Sequence, residues 1–179
     1  MAYGIALTFD SNLESQIRKV WRAFQDAGIG KTPGQFDEPP HVGLVGCPNG
    51  SPTTLSDMID EIRVSDAGIK LIPFGVFLGP KYVVYYNALL SEDLLKAHKE
   101  LYSFLNDHRI TFDPLYSPGR VLFHCTVAVD IESAHYSKAL SIMRDCSEPM
   151  AGTATCIQLF KYFPIKTLHT RNLSSIQPQ

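Results

Sequence analysis

The sequence predicts an α+β fold built from two similar α/β lobes, in which two antiparallel-rich sheets flank a central cleft and helices lie outside. Helix and strand patterns alternate along all 179 residues, and the same order of elements occurs twice. Two histidines, His41 and His124, stand at matching strand positions in the two halves. We therefore expect one bilobal domain over residues 1–179, with an internal repeat of about 11–90 and 91–179.

The chain begins with a strand and a helix. Hydrophobic side chains alternate with small or polar ones over residues 3–9, which is the period of a strand with one buried face. Ser11 and Glu14 then fit a capping box, and apolar residues recur at helical spacing from Leu13 to Ala27. Gly28 suits the left-handed residue that ends a helix. The pattern predicts a strand followed at once by an amphipathic helix.

A loop, a strand and a second helix come next. Residues Gly30 to Pro40 are rich in Gly and Pro and predict a loop, and His41 to Cys47 predicts a short strand. Ser51 and Pro52 offer an N-cap and a first-turn proline to a helix that continues to about Ile62.

A hairpin closes the first half, and the order of elements then repeats. The β-rich runs Lys70 to Leu78 and Tyr82 to Leu89 are separated by Gly79 and Pro80, which predicts the hairpin. The second half is predicted to contain a helix capped by Ser91, a strand over Val121–Ile131, a helix over about Ala134–Arg144, and a hairpin of Thr153–Phe160 with Lys166–Arg171.

Charge and hydropathy exclude several functional classes. The chain has 16 Lys and Arg against 18 Asp and Glu, a net charge of −2, whereas a protein that covers many duplex phosphates carries a basic excess. No apolar run approaches the roughly 18 residues of a membrane span, and the first ten residues lack a basic signal-peptide region. We expect a monomeric cytoplasmic protein with no membrane contact and no extended duplex binding.

The four cysteines do not indicate a metal site. No two of them form a CxxC pair, and zinc binding would need close pairs with nearby histidines. We interpret them as reduced thiols, with Cys125 and Cys156 as small core residues. No metal and no cofactor is predicted.

The two strand histidines are the candidate chemical groups. His124 and Thr126 share one strand face opposite an apolar face, and His41 and Gly43 share a face opposite Val42 and Leu44. Two imidazoles facing one another across a cleft supply both halves of general acid-base catalysis, since imidazole titrates near neutral pH. The alternative is two hydrogen-bonded structural histidines. Among the other histidines, His98 lies on an apolar helix stripe and is predicted to be a core or boundary residue.

Two tetrapeptides carry a family resemblance. The segment His124-Cys125-Thr126-Val127 matches a motif of histidine, any residue, Ser or Thr, and a hydrophobic residue, and His41-Val42-Gly43-Leu44 matches it except for Gly43. In this the sequence resembles the 2H phosphoesterase superfamily, which includes bacterial 2′-5′ RNA ligases and eukaryotic cyclic phosphodiesterases. The resemblance implies the bilobal fold of that superfamily.

The resemblance also implies an activity. His41 and His124 would act as acid and base on a 2′,3′-cyclic phosphate of a nucleotide or RNA terminus, without a metal, and 2′-5′ ligation would be the related reaction. Thr126 would hold a phosphate oxygen, and Gly43 would offer only its backbone N–H. We favour His124 as base and His41 as acid, although the roles exchange between hydrolysis and ligation.

Aromatic residues of the first hairpin are candidates for stacking on a nucleobase, and core packing is the other reading. They are Phe74, Phe77, Tyr82, Tyr85 and Tyr86. Two further functions stay open. Because Gly43 lacks a hydroxyl, the chain could be a nucleotide- or RNA-end-binding module with little turnover; a scaffold whose cleft holds a partner protein is the third hypothesis.

Overall fold

The computed structural model describes residues 3–162 and 165–173 of the chain. The strands within these ranges are β1 (Tyr3–Phe9), β2 (His41–Cys47), β3 (Gly68–Phe77), β4 (Tyr82–Leu90), β5 (His124–Ile131), β6 (Met150–Lys161) and β7 (Lys166–Asn172). The helices are α1 (Ser11–Asp26), α2 (Pro52–Glu61), α3 (Glu92–Asp107) and α4 (Tyr136–Asp145). The predicted α+β class is confirmed.

All strand pairs in the described ranges are antiparallel, in the order β2-β1-β6-β3-β4-β5. β3 pairs with the first part of β6, over Met150–Thr153, and β7 pairs with the second part from Cys156 to Lys161. The two predicted sheets therefore share the twelve-residue strand β6 and are continuous. The predicted start of this strand, Thr153, was three residues late.

Helices cover the two halves of this sheet separately. One buried cluster joins the apolar stripe of α1 and residues of α4 to β3, β4 and β5; Phe24 and Ala139 are fully buried in it. A second cluster joins α2 and α3 to β1, β2 and β6; Leu101 and Leu159 are fully buried in it. Each half of the sheet thus has its own core, and its second face is left for other contacts.

The ends of the helices differ slightly from the prediction. The N-cap of α1 is Asp10 rather than Ser11, because the Asp10 carboxylate accepts from the backbone N–H groups of Asn12 and Leu13 at 3.0 and 2.9 Å. The same carboxylate accepts from the N–H of Thr153 at 2.6 Å, which ties the helix to β6. Gly28 has a φ of 66° after the last helical turn, as predicted for a left-handed cap.

Two of the cysteine predictions have different outcomes. Cys125 is fully buried, as expected, and burial raises the pKa of its thiol to about 12. Cys156 is only half-buried, so its assignment to the core was wrong; its thiol donates to the Asn172 side chain at 3.3 Å. All four cysteines are free thiols in the structure.

His98 is buried on α3, as its position on the apolar stripe predicted, and only 2% of its surface is exposed. Burial lowers its pKa, an effect that hydrogen bonds with the carbonyl groups of Tyr116 and Leu44 oppose. In the unfolded chain His98 is protonated below about pH 6.5, whereas in the folded chain its protonation requires a lower pH.

We expect the free energy of unfolding to fall as pH drops from 7 through 6.5 toward 5, because proton uptake favours the unfolded state. His98→Gln should flatten this dependence, whereas replacing the exposed His108 by Gln should not. Urea denaturation at a series of pH values measures both. A slope that is identical in His98→Gln and in the wild type would contradict the assignment.

Candidate active site

The two predicted histidines are the first residues of the two strands at opposite ends of the strand order. β2 and β5 are far apart along that order, yet they pack against each other. The backbone of His41 lies close enough to Cys125, the residue that follows His124, to lower the pKa of its thiol. The starts of the two strands therefore lie near each other, and the charge of His41 acts on His124.

Both imidazole rings have the same backbone support. Nδ1 of His41 lies 3.0 Å from the carbonyl oxygen of Pro39, and Nδ1 of His124 lies 2.7 Å from that of Leu122. Each carbonyl belongs to the residue two positions before the histidine. A carbonyl oxygen only accepts, so each Nδ1 carries a proton and each Nε2 is left to give or take one.

The surroundings of His124 favour its neutral form. Its ring makes edge contacts with Phe77 and Tyr85, at centroid separations of 5.0 and 5.2 Å. Burial lowers the pKa of His124, and the charge of His41 lowers it further, while the hydrogen bond to Leu122 opposes the shift. At neutral pH its Nε2 therefore presents a lone pair, as a general base requires.

His41 has an acidic neighbour that the sequence patterns did not reveal. Oε1 of Glu38 lies 3.6 Å from Nε2 of His41, and only 15% and 13% of the His41 and Glu38 side chains are exposed. Burial raises the pKa of Glu38, and His41 opposes that shift.

The predicted phosphate contacts lie two residues after each histidine. Thr126 is on the strand face of His124, pairs with Tyr85 across to β4, and is half-buried. Gly43 is on the strand face of His41 and pairs with Ala6 of β1. The structure thus places a threonine hydroxyl beside one histidine and a residue without a side chain beside the other.

A cavity of about 300 Å³ adjoins His124. Phe77, Tyr116 and Arg120 are among its other lining residues, and Tyr116 also lines a second cavity of about 540 Å³ together with Gly46 and Tyr162. Of the five hairpin aromatics, Phe77 and Tyr85 reach the site, stacked at 4.2 Å. Tyr86 is fully buried, and its hydroxyl donates to the carbonyl of Cys146.

Neither Glu38 nor Tyr116 was a candidate before the structure was known. Both lie outside the β-strands, in segments without hydrophobic periodicity, so no sequence pattern marks them. The two glycines Gly43 and Gly46 are the one available signal, because they leave the face of β2 that carries His41 without side chains at these two positions.

The part of the chain that the structure describes has no group of three or more His, Cys, Asp or Glu side chains placed to hold a metal ion. Among the described helices, none combines the length and the apolar character needed to cross a membrane.

Comparison with solved structures identifies the fold. The chain superposes on E. coli LigT complexed with 3′-AMP with a TM-score of 0.66 at 17% identity, covering 96% of this chain and 97% of LigT. It matches TT0787 of Thermus thermophilus with a TM-score of 0.66 at 14% identity, covering 99% and 100% of the two chains. It matches a structure described as a phosphoesterase with a TM-score of 0.59 at 16% identity, covering 96% of this chain and 97% of that one. The chain therefore has the fold of LigT and of the structure described as a phosphoesterase.

Comparison of sequences adds nothing to this. No protein-family model matches the chain, and no curated protein matches it significantly.

Proposed function

We propose that this chain is a metal-independent phosphodiesterase that hydrolyses 2′,3′-cyclic phosphates of nucleotides or RNA ends, with 2′-5′ ligation as the related reaction. One observation supports the proposal: the two imidazoles lie near enough for the charge of His41 to act on His124, and each has Nδ1 hydrogen-bonded to the carbonyl two residues before it. The fold shared with LigT, whose structure contains 3′-AMP, supports a nucleotide substrate.

The surroundings of the two histidines support one assignment of their roles. Nε2 of His124, whose neutral form is favoured by burial and by His41, removes a proton from water. The hydroxide oxygen forms a bond to phosphorus as the opposite ribose oxygen leaves. Nε2 of His41, beside the Glu38 carboxylate, gives that oxygen its proton. One P–O bond forms and one breaks, and the product is a phosphomonoester.

The proton positions explain why ligation is chemically related. After one turnover His124 holds the proton taken from water and His41 has lost one. If a ribose hydroxyl replaces water as the nucleophile, the same proton transfers give a phosphodiester, and the reaction is ligation. In the reverse of either reaction each histidine takes the other's role. The isomer of the monophosphate product reports which ribose oxygen leaves.

A nucleotide-binding module is the second candidate, favoured by the missing hydroxyl at Gly43. Incubation with 2′,3′-cyclic nucleotides in EDTA, with chromatographic separation of the 2′- and 3′-monophosphates, distinguishes the two. Turnover in EDTA supports the enzyme. Measurable nucleotide binding without turnover supports the module.

As the pH is lowered from 7, kcat/KM for hydrolysis should begin to fall only below pH 6.5. A general base works only when unprotonated, and the pKa of His124 is lowered, so its protonation needs a lower pH than for a free imidazole. The pH profile of kcat/KM measures the effect, and NMR titration of His124 checks its origin. An acid limb at or above pH 6.5 would contradict the role of His124 as base.

A further inference from the structure

The ring of Tyr116 occupies the space that a side chain at position 43 would fill. A Cβ atom built on Gly43 would lie 3.3 Å from the Tyr116 hydroxyl oxygen and 3.4 Å from its Cε1. A Cβ on Gly46 would lie 3.4 Å from Cε2 of the same ring. The two glycines thus make room for Tyr116, whose hydroxyl lies next to the space that a threonine side chain at position 43 would enter.

The strand that bears His41 also holds Tyr116 in place. The N–H of Asp113 donates to the carbonyl of Gly46 at 2.9 Å, and the N–H of Tyr116 donates to Asp113 at 3.0 Å. Nε2 of the buried His98 donates to the carbonyl of Tyr116 at 2.9 Å. The turn that carries Tyr116 is therefore bonded to the strand of His41 at Asp113 and to helix α3 at Tyr116.

The hydroxyl of Tyr116 is a hydrogen-bond donor at neutral pH. Burial raises its pKa, and the charge of Asp113 raises it further, so the group stays protonated. Tyr116 also lines the cavity at His124, where the cationic Arg120 is another lining residue. The cavity at His124 therefore has two groups, Tyr116 and Arg120, that can donate hydrogen bonds to an anion.

We propose that the Tyr116 hydroxyl binds a non-bridging phosphate oxygen of the substrate on the His41 side, the position that a motif hydroxyl would take if residue 43 were Thr or Ser. Thr126 serves the His124 side. The inference rests on the proposed phosphodiesterase function and makes Gly43 and Tyr116 one functional pair. Tyr116 is then a substrate-binding residue contributed by a turn rather than by the motif strand.

Tyr116→Phe keeps the ring over the two glycines and removes only the hydroxyl. We expect kcat/KM for a 2′,3′-cyclic nucleotide to fall about 10- to 100-fold, the range for a lost hydrogen bond to a charged group. Tyr136→Phe, in α4 and outside the site, is the matched control and should leave the rate unchanged. Circular dichroism melts of both variants check folding.

Substrate stereochemistry separates binding from a structural role. The two diastereomers of a 2′,3′-cyclic phosphorothioate place sulfur, a weak acceptor, at one or the other non-bridging position. Tyr116→Phe should slow the diastereomer that still offers oxygen to Tyr116 far more than the other. Equal effects on both would overturn the proposal, because a merely structural change cannot distinguish them.

A rescue variant adds a second test. Tyr116→Ala removes both ring and hydroxyl, and adding Gly43→Thr supplies a hydroxyl from β2 in the space that the ring leaves. The double variant should hydrolyse the substrate at least tenfold faster than Tyr116→Ala alone. No gain in a folded double variant would contradict the pairing of the two positions.

The outcomes distinguish this inference from the proposed function. If the wild type hydrolyses the substrate and Tyr116→Phe does so equally well, only the role of Tyr116 fails. If the wild type shows no turnover, the phosphodiesterase proposal fails, and calorimetric binding of 3′-AMP becomes the readout for Tyr116. Equal dissociation constants in wild type and variant, or no binding by the wild type, would then overturn the inference too.

Discussion

His41→Ala and His124→Ala should each lower kcat/KM for a 2′,3′-cyclic nucleotide by about 10²- to 10⁴-fold, the usual contribution of one positioned acid or base. Each change removes an Nε2 that transfers a proton and leaves the partner imidazole without its counterpart. Initial rates in EDTA, with the monophosphate product quantified by chromatography, give the size of the loss.

The double variant should be little worse than the poorer single variant, because the two histidines act in one concerted proton transfer and such losses do not add. His135→Ala is the matched control, since His135 is exposed and outside the site, and it should retain full activity. A folded His41→Ala or His124→Ala protein with near wild-type rates would remove that residue from the mechanism.

Phe160→Ala should lower the free energy of unfolding by about 3–5 kcal/mol, as is typical for a phenylalanine deleted from a packed interior. Phe160 is fully buried on β6, and its ring centroid lies 6.0 Å from that of His41. The loss is a large part of the roughly 5–15 kcal/mol that stabilises a typical domain. Urea denaturation measures it.

Phe36→Ala is the matched control for this change. Phe36 is 45% exposed, so its removal should cost well under half as much. We also expect the folded fraction of the Phe160 variant to be less active than the wild type, since the space that the phenylalanine leaves is near the imidazole of His41. Equal midpoints for the two variants would show that Phe160 does not support this part of the core.

Local patterns predicted most elements of the fold because their signals are short-range. The apolar stripe of α1, the Gly28 cap and the Ser51-Pro52 start of α2 all lie within a few residues of the element they define. The extent of β6 was underestimated, since its first residues, from Met150, are set by pairing with Leu71 of β3. Such pairing joins residues far apart in sequence and leaves no local pattern.

The residues of the candidate site also fall into those that local sequence patterns predict and those that they do not. His41, His124 and Thr126 follow from the motif and from strand alternation, which place each on the face opposite a buried one. Glu38 and Tyr116 could not be predicted, because tertiary contacts place them. The position of Tyr116 depends on the carbonyl of Gly46 and on His98, which belong to different elements.

The most direct test of the two-histidine phosphodiesterase is ³¹P NMR of the wild-type protein with 2′,3′-cyclic AMP in EDTA. We expect the cyclic phosphate signal to be replaced by that of one monophosphate isomer, with one oxygen from the solvent when the water is ¹⁸O-labelled. No conversion, or conversion that needs an added divalent metal ion, would contradict the account.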